Sequence, residues 1–244
     1  MNTLRFHRFL VACAIGLAAA RCGVAAGPTP PNILFFITDD ESAVERSRYG
    51  WSTLEKGVLF TNGFTTAPSC APSRASVLTG RHFWELEQGG FIQAFIPKKY
   101  PTVSRILADH GYEIARTGKG WGPGSHPTLG ISGDSLGREF ERARIAKPPK
   151  GVHAHDYAGN FAEFLATRDP AKPFFFWAGV REPHEPSGPN NHLLLEKEFG
   201  MTLADVSLPP FVEDTPQNRR ERANFVYEIC VADRHLARML ASLE

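Results

Sequence analysis

The chain has 244 residues, of which 42% are hydrophobic and 22% charged, and its formal net charge is +1. This length is enough for one α/β domain with a sizeable core. The balanced charge lacks the basic excess of a nucleic-acid-binding protein, and the many apolar and aromatic residues exclude a largely disordered chain. Composition therefore indicates an enzyme-sized globular domain and no more.

The first 26 residues have the order of a secretory signal peptide. Arg5 and Arg8 precede an apolar run at residues 9–20, and small residues follow up to Ala26. We expect cleavage after Ala26 and a secreted or periplasmic protein. The run is shorter than the roughly 20 residues of a membrane span, so we expect no span in the mature chain. An uncleaved anchor and a lipoprotein modified at Cys22 are the alternatives.

Cleavage there would leave two cysteines, Cys70 and Cys230, in the mature chain. Two cysteines in a secreted domain are able to form a disulfide. Cys230 lies in a strongly helical stretch, however, where a buried free thiol is the simpler interpretation.

Short runs of β-forming apolar residues predict four buried strands. These runs are Asn32–Thr38, Val58–Phe64, Tyr112–Thr117 and Phe174–Val180. Helical patterns separate them, one ending before Gly111 and one before Pro170, and a last pattern extends from Arg219 to Leu243. This alternation predicts an α/β fold with a mostly parallel sheet flanked by helices.

Polar residues follow the ends of these strands. They are Asp39-Asp40, Gly118-Lys119, Arg181-Glu182-Pro183-His184 and, after Val58–Phe64, the segment Ser69–Arg74. Ligands of parallel sheets bind at the carboxyl ends of the strands. Two irregular stretches rich in Pro and Gly, Trp121–Val152 and Glu182–Glu213, are predicted to line the same site.

Asp39 and Asp40 are adjacent carboxylates, and adjacent acids are usually held close by a cation. Carboxylate oxygens suit hard metals such as Ca²⁺ or Mg²⁺. A solvated turn or a helix N-cap explains the pair equally well.

The segment from Ser69 to Gly80 is the most specific pattern in the chain. Cys70 stands just before Pro72, at the start of an apolar helical segment. Amide groups at such a helix start favour an anion, and Arg74 adds a positive charge. Proline near a helix start is also ordinary. The residues alone permit a reactive thiolate at Cys70 but do not reveal what it becomes.

The Cys-x-Pro-Ser-Arg pentad at Cys70–Arg74, followed by Leu-Thr-Gly-Arg at Leu78–Arg81, resembles the signature of the type I sulfatases. The resemblance implies an alkaline-phosphatase-like sulfatase fold for residues 27–244. It also implies oxidation of Cys70 to Cα-formylglycine by a formylglycine-generating or sulfatase-maturing enzyme. The hydrated aldehyde would attack the sulfur of a sulfuric ester or sulfamate on a sulfated carbohydrate.

Further site residues follow from this resemblance. Asp39 and Asp40 would bind Ca²⁺, or Mg²⁺, together with oxidised Cys70. Lys119 would contact the sulfate, and His184 would place the sulfate or protonate the leaving group. Taken singly, Lys119 would be a surface charge and His184 an ordinary loop histidine. With Arg74, these groups would stabilise the charge that develops as the ester bond breaks.

The residues of three segments resemble one branch of this family. Gly118–Gly124, Phe176–Gly179 and Asp214–Pro216 are similar to the bacterial branch related to heparan N-sulfatase (sulfamidase). That branch implies hydrolysis of sulfamate or sulfate groups on amino sugars.

Three departures from the family imply an incomplete catalytic domain. The chain ends at Glu244, before the Asp-Asn or Asp-His pair that completes the metal site in the family. Roughly a helix's length is missing between Trp51 and Glu55. Trp121 stands where the family has a histidine, although His126 is near in sequence. We expect the isolated 244-residue chain to be poorly stable and inactive, because a parallel sheet that lacks a central strand exposes backbone edges.

Two other functions remain as alternatives. Related folds hydrolyse phosphate esters with a serine or threonine nucleophile, and Cys70 argues against that class. A catalytically inactive pseudo-sulfatase, which at most binds sulfated glycans, is consistent with the missing metal ligands.

Overall fold

The structure is a computed structural model that describes residues 29–41, 57–93, 95–122, 130–131 and 136–244. The predicted signal peptide, the short segment between Trp51 and Glu55, and His126 all lie outside the described residues. Residues 31–244 belong to one compact unit.

A four-stranded sheet lies at the centre of this unit, with its strands in the order β1-β6-β3-β5. These strands are β1 (Ile33–Ile37), β3 (Glu113–Gly118), β5 (Arg138–Glu139) and β6 (Phe174–Gly179). All three neighbouring pairs are parallel. A separate antiparallel pair joins β2 (Ile96–Pro97) to β4 (Gly130–Ile131). The predicted parallel sheet is therefore confirmed.

Helices flank this sheet, as predicted. They are α1 (Cys70–Thr79), α2 (Val103–Asp109), α3 (Tyr157–Thr167), α4 (Asn191–Phe199) and α5 (Pro216–Ala241). Two short 3-10 turns, Phe83–Glu85 and Glu87–Gly90, follow α1. None of the helices in the described ranges is long and apolar enough to cross a membrane.

Strand β6 is buried along its whole length, because helices cover both faces of the sheet. Phe174 and Phe176 point to one face and pack against Phe161 and Phe164 of α3. Residues on the other face, Trp177 among them, pack with apolar side chains of α1. Burial of each such aromatic side chain stabilises the fold by roughly 1.5–3 kcal/mol.

The predicted strand at Val58–Phe64 is wrong. Residues 58–64 form coil and a turn, and the side chains of Val58, Phe60 and Phe64 are 80%, 80% and 91% exposed. The turn contains Asn62 and lies next to Gly63, and both residue types favour turns over extended pairing. Ser69–Arg74 therefore follows an irregular segment and not a strand.

Helix α4 was not predicted, because the surrounding stretch was expected to be irregular. Asn190 precedes it, and Gly200, with a φ of +69°, ends it in the left-handed conformation that favours glycine. Leu195 lies on its buried face and joins α5 in a second apolar cluster. The cap residues were the signal in the sequence that would have located this helix.

The two cysteines of the described region are both free. Cys230 is buried in α5, and burial raises the pKa of its thiol to about 12. The alternative of a Cys70–Cys230 disulfide is therefore excluded, and the buried free thiol is confirmed.

Candidate active site

The carboxyl ends of three neighbouring strands meet at one edge of the sheet. In the parallel register, Gly179 of β6 lies between Ile37 of β1 and Gly118 of β3. Asp39 lies two residues after the end of β1 and Lys119 directly follows β3, so residues that are far apart in the chain become neighbours. The N-terminus of α1 faces the same edge, since Arg74 of this helix contacts both segments.

A buried carboxylate joins two cations at this edge. One oxygen of Asp39 accepts a hydrogen bond from Arg74 Nη2 at 3.1 Å, and the other pairs with Lys119 Nζ. Asp39, Arg74 and Lys119 are only 3%, 1% and 9% exposed. The structure therefore brings together three of the predicted site residues as a buried triad that carries one net positive charge.

Backbone contacts hold Arg74 in place. Its Nη1 donates to the carbonyl oxygens of Lys119 at 3.1 Å and Gly120 at 3.2 Å. Burial lowers the pKa of Arg74, and the neighbouring Asp39 carboxylate opposes that effect. The indole N–H of Trp177 donates to the same Lys119 carbonyl at 2.9 Å. The core of the sheet thus fixes the side chain of Arg74 and the backbone of Lys119.

Cys70 is the first residue of α1 and is half-buried. Ser69 occupies the N-cap position but makes no side-chain cap hydrogen bond to the first turn of this helix. The positive end of the helix dipole therefore lies beside Cys70. Arg74 stands four residues further on, one turn away on the same face, and interacts electrostatically with Cys70.

Asp40 and His184 lie at the mouth of the site, outside the buried triad. Their side chains are 51% and 44% exposed, and His184 Nε2 lies 3.6 Å from Asp40 Oδ2. His184 Nδ1 donates to the carbonyl of Glu185 at 2.7 Å, which leaves Nε2 directed towards the site. Asp40 has a φ of +64° and directly follows buried Asp39.

Three polar residues near the triad were not assigned a role from the sequence. Glu141 accepts hydrogen bonds from the Gly118 amide and from His155. Burial alone would raise the pKa of Glu141, but these hydrogen bonds lower it. The other two are His153 and Arg181. Arg181 belongs to a segment already placed at a strand end, whereas nothing in the sequence singled out His153 or Glu141.

Trp121 occupies the position where a histidine was expected. It is 1% exposed and packs in the apolar cluster that contains Leu136 and Trp177. At this position the chain therefore has a core side chain and not a site residue.

The described residues do not by themselves fit a calcium ion. Ca²⁺ takes about 6–8 oxygen ligands, and both oxygens of Asp39 already bind cationic side chains. No group of three or more His, Cys, Asp or Glu side chains within the described ranges is arranged to hold a metal. Calcium binding at Asp39, Asp40 and Cys70 stays a prediction.

Several known proteins with similar sequences are sulfatases. Human (Homo sapiens) arylsulfatase D is 35% identical over 113 residues, which cover 36% of this chain and 18% of the relative. The ulvan-active sulfatase of Formosa agariphila is 31% identical over 166 residues, 63% of this chain and 30% of the relative. The chain thus spans less than a third of the length of these two relatives.

The chain is also similar to a solved structure and to a family profile. A solved structure of a protein in complex with its substrate, D-glucosamine-2-N,6-O-disulfate, has a TM-score of 0.62 at 16% identity. The likeness covers 87% of this chain and 62% of that one, and it confirms the predicted sulfatase fold. Residues 31–244 match the profile of the Sulfatase family. The chain belongs to the sulfatase family.

Proposed function

We propose that the protein hydrolyses sulfuric esters on saccharides, with a formylglycine made from Cys70 as the nucleophile. The observation that carries this proposal is the placement of Cys70 at a helix start, one turn from Arg74, which Asp39 joins to Lys119. The names of the relatives support a sulfated saccharide as substrate, since one acts on ulvan and another was solved with a sulfated glucosamine. Sulfamate hydrolysis, as in heparan N-sulfatase, is the finer prediction.

The arrangement suits a sulfate monoester for electrostatic reasons. The triad carries one net positive charge, and the amides at the start of α1 add the positive end of the helix dipole. Because Asp39 holds both Arg74 and Lys119, and backbone carbonyls also hold Arg74, these cations need no rearrangement when charge develops on the sulfate oxygens. Oxidised to formylglycine, position 70 would supply the nucleophile.

His184 in its imidazolium form is the proposed proton donor to the leaving oxygen, because Nδ1–H donates to the carbonyl of Glu185 and only the imidazolium carries a second proton, on Nε2. When the bond between sulfur and the ester oxygen breaks, the electron pair stays on that oxygen, which takes a proton. His184 Nε2 faces the mouth of the site beside Asp40 and is accessible to a large leaving group such as a sugar. We also propose that the protein is secreted or periplasmic and that a sulfatase-maturing enzyme modifies Cys70.

Two measurements test this function. The chain is coexpressed with a sulfatase-maturing enzyme, and mass spectrometry should find the aldehyde at position 70 while Cys230, the matched thiol, stays unmodified. Sulfate release from a sulfated saccharide should fall at least about 1,000-fold in Cys70→Ala, whereas Cys230→Ala should retain it. Parallel assays with added Ca²⁺ and with EDTA test the metal prediction.

Other outcomes of the same experiment would contradict the proposal. Binding of the saccharide without turnover, with Cys70 converted, would support the non-catalytic alternative and the expectation that the isolated chain is inactive. Faster cleavage of phosphate esters than of sulfate esters would support the phosphoryl-hydrolase alternative.

A further inference from the structure

We propose that Arg181 and His153 form a subsite for a second acidic group of the substrate, beside the position of the reacting sulfate. This inference rests on the proposed function and narrows its substrate class. The substrate would be a saccharide that carries a further sulfate or a carboxylate close to the sulfate that is cleaved.

Arg181 is a cation without an acidic partner. It follows β6 by two residues, its side chain is half-buried, and its buried Nε has no hydrogen-bond partner within the described ranges. No carboxylate in the described part of the chain forms an ion pair with it. Arg74 and Lys119, by contrast, both form ion pairs with the one carboxylate of Asp39. A partly desolvated guanidinium that lacks a partner is costly in the free protein and is well suited to an incoming anion.

The position of Arg181 places this charge beside the triad. The amide of Asp39 donates to the carbonyl of Glu182, the next residue, at 3.3 Å. Burial and the interactions with Asp39 and Cys70 have the larger effects on the pKa of Arg74. The positive charge of Arg181 also lowers this pKa, so the two side chains lie close enough to interact. Arg181 is therefore a neighbour of the catalytic cations but is not held by their carboxylate, so it remains available for a different anion.

His153 provides a neutral polar group at the same place. Burial and the nearby Arg181 lower its pKa to about 4, so the ring is uncharged at neutral pH. Its ring nitrogens bind no other group of the described residues, and its backbone amide donates to Glu182 Oε1 at 2.8 Å. A neutral imidazole beside a guanidinium suits a sugar that presents an acidic group next to a hydroxyl.

The backbone of this subsite is held before any ligand arrives. The amide of Arg181 donates to the hydroxyl of Tyr157 at 3.1 Å, and its carbonyl accepts from the amide of His184 at 2.9 Å. Burial raises the pKa of Glu182, and the carboxyl of this residue forms no ion pair with Arg181 within the described ranges. Such preorganisation reduces the entropy that binding costs.

The test compares Arg181→Met, which keeps much of the length but removes the charge, with the unaltered chain. The substrates are 4-nitrophenyl sulfate, a monosulfated glucosamine, a disulfated glucosamine and a sulfated disaccharide that contains a uronate. We expect KM to rise about tenfold or more only for substrates with a second acidic group, while kcat and the aryl sulfate KM change little. The comparison of the disulfated glucosamine with the uronate disaccharide identifies whether the subsite prefers a sulfate or a carboxylate.

Two further variants complete the design. Arg105→Met removes an exposed arginine from α2, where its pair with Asp109 is 3.1 Å long, and should change no substrate constant. Arg181→Lys keeps the charge and should restore part of the preference for doubly acidic substrates. It also keeps the test decisive should Arg181→Met fail to fold.

Two results would overturn the inference. An equal loss on 4-nitrophenyl sulfate would show that Arg181 binds the reacting sulfate itself, and an unchanged preference would show no role for it. If the chain has no turnover, calorimetric titration with the monosulfated and disulfated glucosamines decides the question. The ratio of the two Kd values should then approach one in Arg181→Met, independently of whether the proposed function holds.

Discussion

At the scale of single residues, the position of Lys119 depends on the glycine before it. Gly118 ends β3 with a φ of +70°, and its amide donates to Glu141. A Cβ atom at this position would lie 2.6 Å from Cε1 of Tyr157 and would also overlap the carbonyl oxygen of Gly179. Any side chain here would push the Lys119 segment away from β6, and with it the amine that binds Asp39.

Gly118→Ala should therefore destabilise the protein by about 1–3 kcal/mol more than a matched glycine substitution. Gly200→Ala is the control, because Gly200 has a φ of +69° but nothing within 4 Å of its Cβ position. The control isolates the cost of the left-handed backbone, and urea unfolding of both variants measures the difference. Equal losses would show that the close contacts at Gly118 are relieved at no cost.

At the scale of elements, α5 fixes the segment that precedes it. The hydroxyl of Thr215 caps this helix by accepting from the Asn218 amide at 3.1 Å, and Pro216 occupies its first turn. Arg219 then donates to the carbonyls of Leu203 at 2.9 Å and Val206 at 3.0 Å. The first turn of α5 therefore contains both the cap of this helix and the contacts that fix the irregular segment before it.

Thr215→Ala should cost about 1 kcal/mol of stability, because the Asn218 amide loses its acceptor. Thr215→Ser keeps a hydroxyl at the same position and should cost much less. Both values come from chemical unfolding, and amide hydrogen exchange should show faster opening of the first turn in the alanine variant alone. If Thr215→Ser lost the same free energy of unfolding, the loss would come from the threonine methyl group and not from the cap hydrogen bond.

At the scale of the whole molecule, a buried carboxyl couples stability to pH. Glu228 of α5 is 0% exposed, and its carboxyl forms no ion pair with a cationic side chain in the described part of the chain. Burial first, and then the charges of Glu182 and Glu185, raise its pKa from 4.5 to about 7. The neutral form therefore stabilises the fold below pH 4.5, and this contribution is lost as the pH rises through about 7.

Glu228→Gln should remove this dependence, because the amide remains neutral. As the pH rises from about 5 to about 8, the unaltered chain should lose about 2 kcal/mol in free energy of unfolding relative to the variant. Urea unfolding at the two pH values measures this change, and Glu196→Gln, which removes an exposed carboxylate from α4, is the control. A constant difference between Glu228→Gln and the unaltered chain would contradict the raised pKa.

The sequence by itself determined the parallel sheet, the main helices and the family. Apolar runs such as Phe174–Val180 show their burial locally, and the Cys70–Arg74 pentad is contiguous, so both are visible without a structure. Only the tertiary structure decided that Asp39 is shared by Arg74 and Lys119, which lie 35 and 80 residues away from it. It also decided that Val58–Phe64 is exposed and that Arg181 has no acidic partner within the described residues. Such contacts depend on the register of neighbouring strands and on which helix covers them, and local patterns carry no information about either.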